Sequence, residues 1–508
     1  MKSTILRTGL SALTIALLAG ATSAAEPHMP HRNNTDYTED FRPQFHFSPK
    51  SEWMNDINAL IYQDGVYHMI YQWGRAVRHG GYATSTDLLH WDDKGVALVP
   101  QGTFLPKGVP RNVSGQAVYS GSGVLVDGEV AKGITGSTKP AMVTHYTGTK
   151  VGTCIAWSND QGATWHDYKN NPVAHPTKGA LPRDPCVFWY EPTKTWILAL
   201  YEKGTTFYGS KDLIKWDKLS NIKFGFECPD VFQLPLDGDP AKMKWVLQDA
   251  VGAYLVGQFN GKEFIKEQKE TLVMDKGPDF YAGQSFFPHN LPEKKVIQIA
   301  WNDHWNGGVG EKGWQRNATF PVELGLVTHD GKMQVTRTPI SAISNLYQKT
   351  SATEEKTLTP GENILARIQS KAFDMTAVFD LTDTTAKTIQ FKIADRTMTY
   401  KIPEQVLVGK KMTKVKRTKE EMAREKKGQW KHVPSKVDLK LKPDFNNQLT
   451  IRILVDWSNI EIFAQGGVFS YSENVALDPK SSHVGIAVDG KVKLKSLEFH
   501  EIKSIWKK

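Results

Sequence analysis

The sequence predicts an all-β protein, a five-bladed β-propeller followed by a C-terminal β-sandwich. Three observations carry that expectation. From Phe45 to about Leu326, short runs rich in β-branched and aromatic residues are broken every dozen residues or so by Gly, Asp, Asn and Pro. Within that stretch a Ser-x-Asp turn recurs ahead of a tryptophan. After Pro339 the pattern changes to alternating strands with one wet face.

The chain opens with Lys2 and Arg7, an apolar run from Gly9 to Leu18, and small residues from Ala19 to Ala25. These are the three regions of a secretory signal, so residues 1–25 are read as a segment removed on export to the periplasm or the outside of the cell. The apolar run is too short to cross a bilayer and no later segment is long and apolar enough, so the mature chain is expected to carry no integral membrane span.

The chain has 508 residues, too many for one ordinary core even with the first 25 set aside, and two domains are expected. The first, residues 40–335, is the propeller. Its weak repeat is Ser85-Thr86-Asp87-Leu88 leading to Trp91, Ser158-Asn159-Asp160 to Trp165, and Ser210-Lys211-Asp212-Leu213 to Trp216. Each reads as a turn between two strands, then an aromatic that packs between sheets. Unequal spacing suits propeller blades better than a solenoid, and a blade of roughly 50 residues divides Trp53–Leu326 into about five. The second domain, residues 345–508, holds the alternating segments Thr376–Leu381, Thr388–Ile393 and Leu449–Val455.

The net charge of +9 invites a nucleic-acid reading until it is located. Between Lys410 and Lys442 lie 13 Lys and Arg against 4 Asp and Glu, which is the whole of the excess. This basic insertion, at about 404–442, is read as a solvated face in the sandwich, and nucleic acid is not expected as a partner. Within it, Met412–Lys427 is expected to form a short charged helix or to stay disordered. The three cysteines, Cys154, Cys186 and Cys228, are too few and scattered for a disulfide framework or a zinc site, and burial as small apolar side chains is the expected role.

Three carboxylates stand at presumed blade starts: Asp56 in Trp53-Met54-Asn55-Asp56, Asp184 in Pro182-Arg183-Asp184-Pro185, and Glu227 in Phe226-Glu227-Cys228-Pro229. The innermost strand of each blade lines the central channel, so residues distant in sequence converge there. Glycoside hydrolysis needs such an inventory: one carboxylate as nucleophile, one carboxyl kept protonated, and an apolar surround, here Trp53, Phe226 and Cys228, that parts their pKa values. A channel with convergent acids and many aromatics suits sugar binding.

These segments resemble glycoside hydrolase family 32, the invertases, inulinases and levanases, in order from Phe45 nearly to the C-terminus. Phe45-His46-Phe47-Ser48-Pro49 with Trp53-Met54-Asn55-Asp56 is similar to the family's sucrose-binding box, which implies that Asp56 is the nucleophile. Arg183-Asp184-Pro185 resembles the Arg-Asp-Pro motif, implying that Asp184 stabilises the transition state through sugar hydroxyls. Glu227-Cys228 matches the Glu-Cys motif, implying that Glu227 is the acid/base. Tyr71-Gln72, Tyr119-Ser120-Gly121-Ser122, Asp279-Phe280-Tyr281-Ala282 and Trp301 resemble lesser signatures that line the pocket. The implied substrate-binding set is Asn55, Gln72, Tyr119, Ser120, Arg183, Tyr281 and Trp301. Val455-Asp456 to Glu461-Ile462-Phe463 looks like the family's sandwich.

Departures accompany the match at four places, the first being the box loop. Ile57 replaces the usual Pro and Ala59 the usual Gly, Gly80 stands where many members carry a Trp pocket wall, Val322 replaces a common Arg, and the basic stretch is an insertion. The resemblance implies a secreted retaining β-fructofuranosidase acting on levan, inulin or sucrose, with no metal or organic cofactor. A fructosyltransferase and a fructan-binding protein without turnover are the alternatives. The five-bladed arabinan-degrading hydrolases also use three acids, but do not usually carry the appended sandwich.

Overall fold

The structure, a computed structural model, describes residues 36–101, 111–175, 182–286, 291, 295–302, 313–418 and 430–506. The signal segment lies outside the described residues. Five sheets form first, each a blade whose strands follow one another in sequence order from the inside outward. Their innermost strands are Glu52–Gln63, Val118–Val126, Arg183–Tyr190, Asp230–Pro235 and Phe280–Ser285. These five touch in a ring, the first against the second and so on until the fifth meets the first. Closure is reinforced from late in the chain, where Trp314–Gln315 adds a parallel strand beside Glu52 and Trp53.

The repeat seen in the sequence is the turn between the third and fourth strands of the first three blades. In the first, Asp87 Oδ1 accepts the backbone N–H groups of Leu89 (2.9 Å) and His90 (2.8 Å), and the Trp91 indole donates to the Leu88 carbonyl at 3.0 Å. Asp212 and Trp216 repeat that pattern in the third blade. Trp165 packs edge-on to Tyr82 across the first and second blades, 6.0 Å between centroids. Short side-chain-to-backbone bonds thus stop each strand and aim an aromatic into the space between sheets.

An eight-residue α-helix, Gly128–Thr135, interrupts the second blade and was not expected from the sequence. It buries only Ala131 and Ile134, too little apolar periodicity to stand out. Gly136 ends it in the left-handed region at φ 81°, which glycine enters without a Cβ penalty.

The sandwich packs a seven-stranded sheet on a five-stranded one. Its core is the apolar face of alternating strands such as Phe373–Asp380 and Gln448–Asp456. The helix-or-disorder expectation for Met412–Lys427 is corrected where it can be tested. Val406–Lys416 is a strand, paired residue for residue with Trp430–Lys440. Ladder hydrogen bonding outweighs the helical preference of Lys and Met there. Residues 419–429 lie outside the described residues. Some of the positive charge is met by acids, with Lys410 2.9 Å from Glu473 and Lys442 2.7 Å from Asp330.

The two parts are joined by buried polar groups. The Asp456 carboxylate accepts the backbone N–H groups of Gln44, Phe45 and His46 and contacts His46 Nδ1 at 2.9 Å. Burial alone would push His46 down, but its hydrogen bonds to Asp456 and Glu461 hold it up to about 9. Nearby, Arg337 of the fifth blade is fully buried, ion-paired with Asp275 and 2.7 Å from Ser470 Oγ of the sandwich. Asp275 is also fully buried and accepts from the Ser472 N–H and hydroxyl. Arg337→Ala leaves that carboxylate uncompensated in the interior, so urea unfolding is expected to show a loss of about 3 to 5 kcal/mol. A change within experimental error would mean that the pair carries no such weight.

Candidate active site

The residues singled out by the sequence meet at one end of the channel because the innermost strands are bulged there. The first strand loses register between Met54 and Ile57, which frees Asn55 and Asp56 from the ladder. The second is irregular at Ser120, the third around Asp184 and Pro185, and the fifth between Tyr281 and Gln284. A bulge re-aims the side chain it carries, and these four point to a common pit. Glu227 precedes the fourth innermost strand. Its φ of 57°, that of Cys228 at 38° and that of Asp184 at 60° all lie in the left-handed region. Such strain persists only where surrounding bonds impose it. Here the Ala250 N–H donates to the carbonyls of both Phe226 and Glu227 at 3.2 Å, and Asp249 accepts the Phe226 N–H at 3.3 Å.

Asp56 is nearly buried, and its two oxygens are treated differently. Oδ2 accepts from the Ser120 hydroxyl in a short contact, from Gln72 Nε2 at 3.3 Å and from the Cys228 thiol at 3.5 Å. Gln72 also donates to Ser120 at 2.8 Å, which locks that side of the carboxylate. Among the described residues no donor meets Oδ1 in good hydrogen-bonding geometry, although the Trp301 indole acts on the same carboxylate and helps to lower its pKa. Burial raises the Asp56 pKa above the ordinary carboxylate value, the Ser120 hydroxyl opposes the shift and the Glu227 charge adds to it.

Asp184 is held by Cys228 from the other side, whose N–H donates to Oδ2 at 3.2 Å. One residue therefore ties the first acid to the second. Burial pushes Asp184 up to about 7, with the Asp56 charge adding and Arg183 pulling back. Glu227 is more open, its side chain 27 % exposed. Arg183 Nη2 reaches its Oε1 at 2.5 Å and the Tyr281 hydroxyl donates to its Oε2 at 2.6 Å. The structure thus assembles a buried carboxylate with one bare oxygen, a second buried acid, and a third at the mouth between two donors.

Of the predicted binding residues, Gln72 and Ser120 contact Asp56, and Arg183 and Tyr281 contact Glu227. Arg183 stacks over Tyr201 at 4.7 Å, Trp301 meets Tyr281 edge-on at 5.8 Å, and Tyr119 lies beneath Arg78. Asn55 accepts a short hydrogen bond from Arg316.

Several expectations need correction. Phe226 is 50 % exposed and meets Tyr201 edge-on at 5.6 Å, so it does not enclose the acids. Tyr71 is fully buried in the blade core against Phe47, since alternation sends only Gln72 inward. Asp279 accepts the Asn474 N–H at 2.9 Å and belongs to the joint with the sandwich. Cys228 is a buried free thiol, as Cys154 and Cys186 are, but it donates to Asp56 and is more than apolar filling. Gly80 leaves no gap, because a Cβ there would meet Leu98 at 2.7 Å.

Two contributors went unnoticed in the sequence. Arg316, with φ 71°, is clamped between Trp53 and Trp301, 4.7 and 4.6 Å from their centroids. The sandwich supports this wall, since Asn459 accepts from Asn302, next to Trp301, and from Asn317, next to Arg316, at 3.0 Å each. The signal available was Trp314-Gln315-Arg316-Asn317, an aromatic and a cation inside one strand-like run.

The family model for glycosyl hydrolases family 32, N-terminal domain, matches residues 46–339, and that for the family 32 C-terminal domain matches 341–501. The chain belongs to glycosyl hydrolase family 32. It is 32 % identical over 515 residues to a levanase of Bacillus subtilis, covering 92 % of this chain and 72 % of that one. It is 29 % identical to an extracellular exo-inulinase of Aspergillus niger, covering 98 % and 99 %. Among solved structures, a β-fructofuranosidase of Schwanniomyces occidentalis complexed with fructosyl-erythritol superposes with a TM-score of 0.76 at 22 % identity, covering 92 % and 99 %. At that identity the superposition speaks to the fold. The family 32 architecture of propeller and sandwich is the one found here.

Proposed function

We propose that this glycoside hydrolase is an exported, retaining β-fructofuranosidase that releases terminal fructosyl units from fructans or sucrose. The observation that carries the reading is the bare, buried Oδ1 of Asp56 in a pit shared with Asp184 and Glu227. The levanase and exo-inulinase among its relatives support fructosyl chemistry. No helix among the described residues is long and apolar enough to cross a membrane, and export rests on the signal-like first 25 residues.

In the first step Glu227 protonates the departing oxygen as Asp56 Oδ1 forms an ester with the anomeric carbon. A retaining path requires these carboxyls about 5 to 5.5 Å apart. Asp184 and Arg183 grip ring hydroxyls whose bonds strengthen as positive charge develops. Ionised Glu227 then takes a proton from water, which displaces the ester and returns Asp56 as carboxylate. Purified protein given levan, inulin and sucrose in turn is expected to release fructose as the first product, in the β form before mutarotation. Early α-fructose would refute retention, an oligosaccharide ladder would indicate endo attack, and transfer products from sucrose would identify a transferase.

A further inference from the structure

Around one wall of the pit, aromatic rings and guanidinium groups alternate in the order Tyr119, Arg78, Trp53, Arg316, Trp301. Arg78 Cζ lies 5.4 Å from the Tyr119 centroid and 5.1 Å from that of Trp53, whose other neighbour is Arg316 at 4.7 Å. Cation–π stacking on two rings holds a guanidinium flat and leaves its N–H edge free to donate in its own plane.

The two arginines differ in what answers them. Arg316 is spoken for, donating to Asn55. Arg78 has no hydrogen-bond acceptor and no carboxylate partner for its side chain among the described residues, although a guanidinium offers five donors. Its position is not casual. It ends the loop between the strands Val66–Trp73 and His79–Ser85, and its carbonyl accepts the Val118 N–H at 2.8 Å, which fastens the loop to the second blade. His79, which follows, is buried against Trp73 with its Nδ1 on the Val77 carbonyl, and Gly80 and Gly81 carry no side chain.

Exposure shows which part of a substrate it would meet. Asp56 and Ser120 are 8 % and 2 % exposed, whereas Arg78 and Tyr119, the residue next to Ser120, are half-buried and reach solvent. A fructosyl unit attached at Asp56 fills the floor, and the sugar being released lies at the rim.

Resting on the fructosidase reading, we propose that Arg78 is a specificity-determining residue for the leaving group, donating hydrogen bonds from its guanidinium to hydroxyls of the saccharide released. The enzyme then discriminates in favour of a sugar leaving group over a simple alcohol. The test compares kcat/KM for 1-kestose or sucrose with that for methyl β-D-fructofuranoside in the parent, Arg78→Gln and Arg78→Lys. A charged hydrogen-bond donor lost from the rim lowers the saccharide-to-methyl ratio about 10- to 100-fold in the Gln variant. Lys keeps charge and stem but loses the planar fork, and restores part of the ratio. Equal losses on both substrates, or an unchanged ratio in both variants, would overturn the assignment. If the parent enzyme hydrolyses none of these compounds, the fructosidase reading fails before Arg78 is tested.

Discussion

Asp56→Asn is expected to lower kcat/KM on fructan or sucrose by about 10⁴-fold or more, as removal of a covalent nucleophile does elsewhere. Ser120, Gln72 and Cys228 occupy Oδ2, so the free oxygen is the one that can attack, and an amide there cannot form the ester. Folding is expected to move the other way. Burial raises the Asp56 pKa in the folded state, so the native protein binds that proton more tightly than the unfolded chain. Stability of the parent therefore falls as pH rises above the unfolded value, and Asn is free of this fall. The difference in thermal midpoint, variant minus parent, should grow between pH 4 and pH 7. Turnover within tenfold of the parent would place the nucleophile elsewhere. A dead variant that is also less stable at every pH would suggest a damaged fold instead of a missing reactant.

That opposition between activity and stability is a general feature of this pit. Three acids share it, and two are raised by burial, Asp184 as far as about 7. Strained backbone at Asp184, Glu227 and Cys228 adds to the cost, and the sandwich helps to meet it through Asn459 and the strands carrying Trp301 and Arg316.

How far the sequence could be read depended on the distance between cause and effect. Blade turns are local, so Ser85, Asp87 and Trp91 announced themselves, and their recurrence pointed to a propeller whose five blades followed from the length of Trp53–Leu326. The meeting of Asp56, Asp184 and Glu227 was legible because innermost strands must line a channel. Facing was harder to foresee. Phe226 and Tyr71 were assigned to the pit because they adjoin Glu227 and Gln72 in sequence, yet Phe226 is half exposed and Tyr71, alternating with Gln72 along its strand, is buried in the blade. Arg78 and Arg316 were missed for another reason: each is placed by rings well away from it in the sequence, Arg78 by Trp53 and Tyr119 and Arg316 by Trp53 and Trp301. In the basic hairpin, lysines that favour a helix singly were overruled by a partner strand starting 14 residues away, from Lys416 to Trp430.

The other large effect is expected at Glu227. Glu227→Gln removes both proton transfers and should lower kcat on sucrose by about 10² to 10⁴-fold. Arg183 and Tyr281 remain to hold the amide in place, so the change is in chemistry and not in shape. Azide separates the two roles further. As an anion it attacks the anomeric carbon of the fructosyl ester without a base, forming fructosyl azide and releasing the Asp56 carboxylate. With an activated leaving group, azide should therefore restore turnover to Glu227→Ala and leave Asp56→Asn inactive. If both variants respond alike, neither carboxylate can hold the part assigned to it.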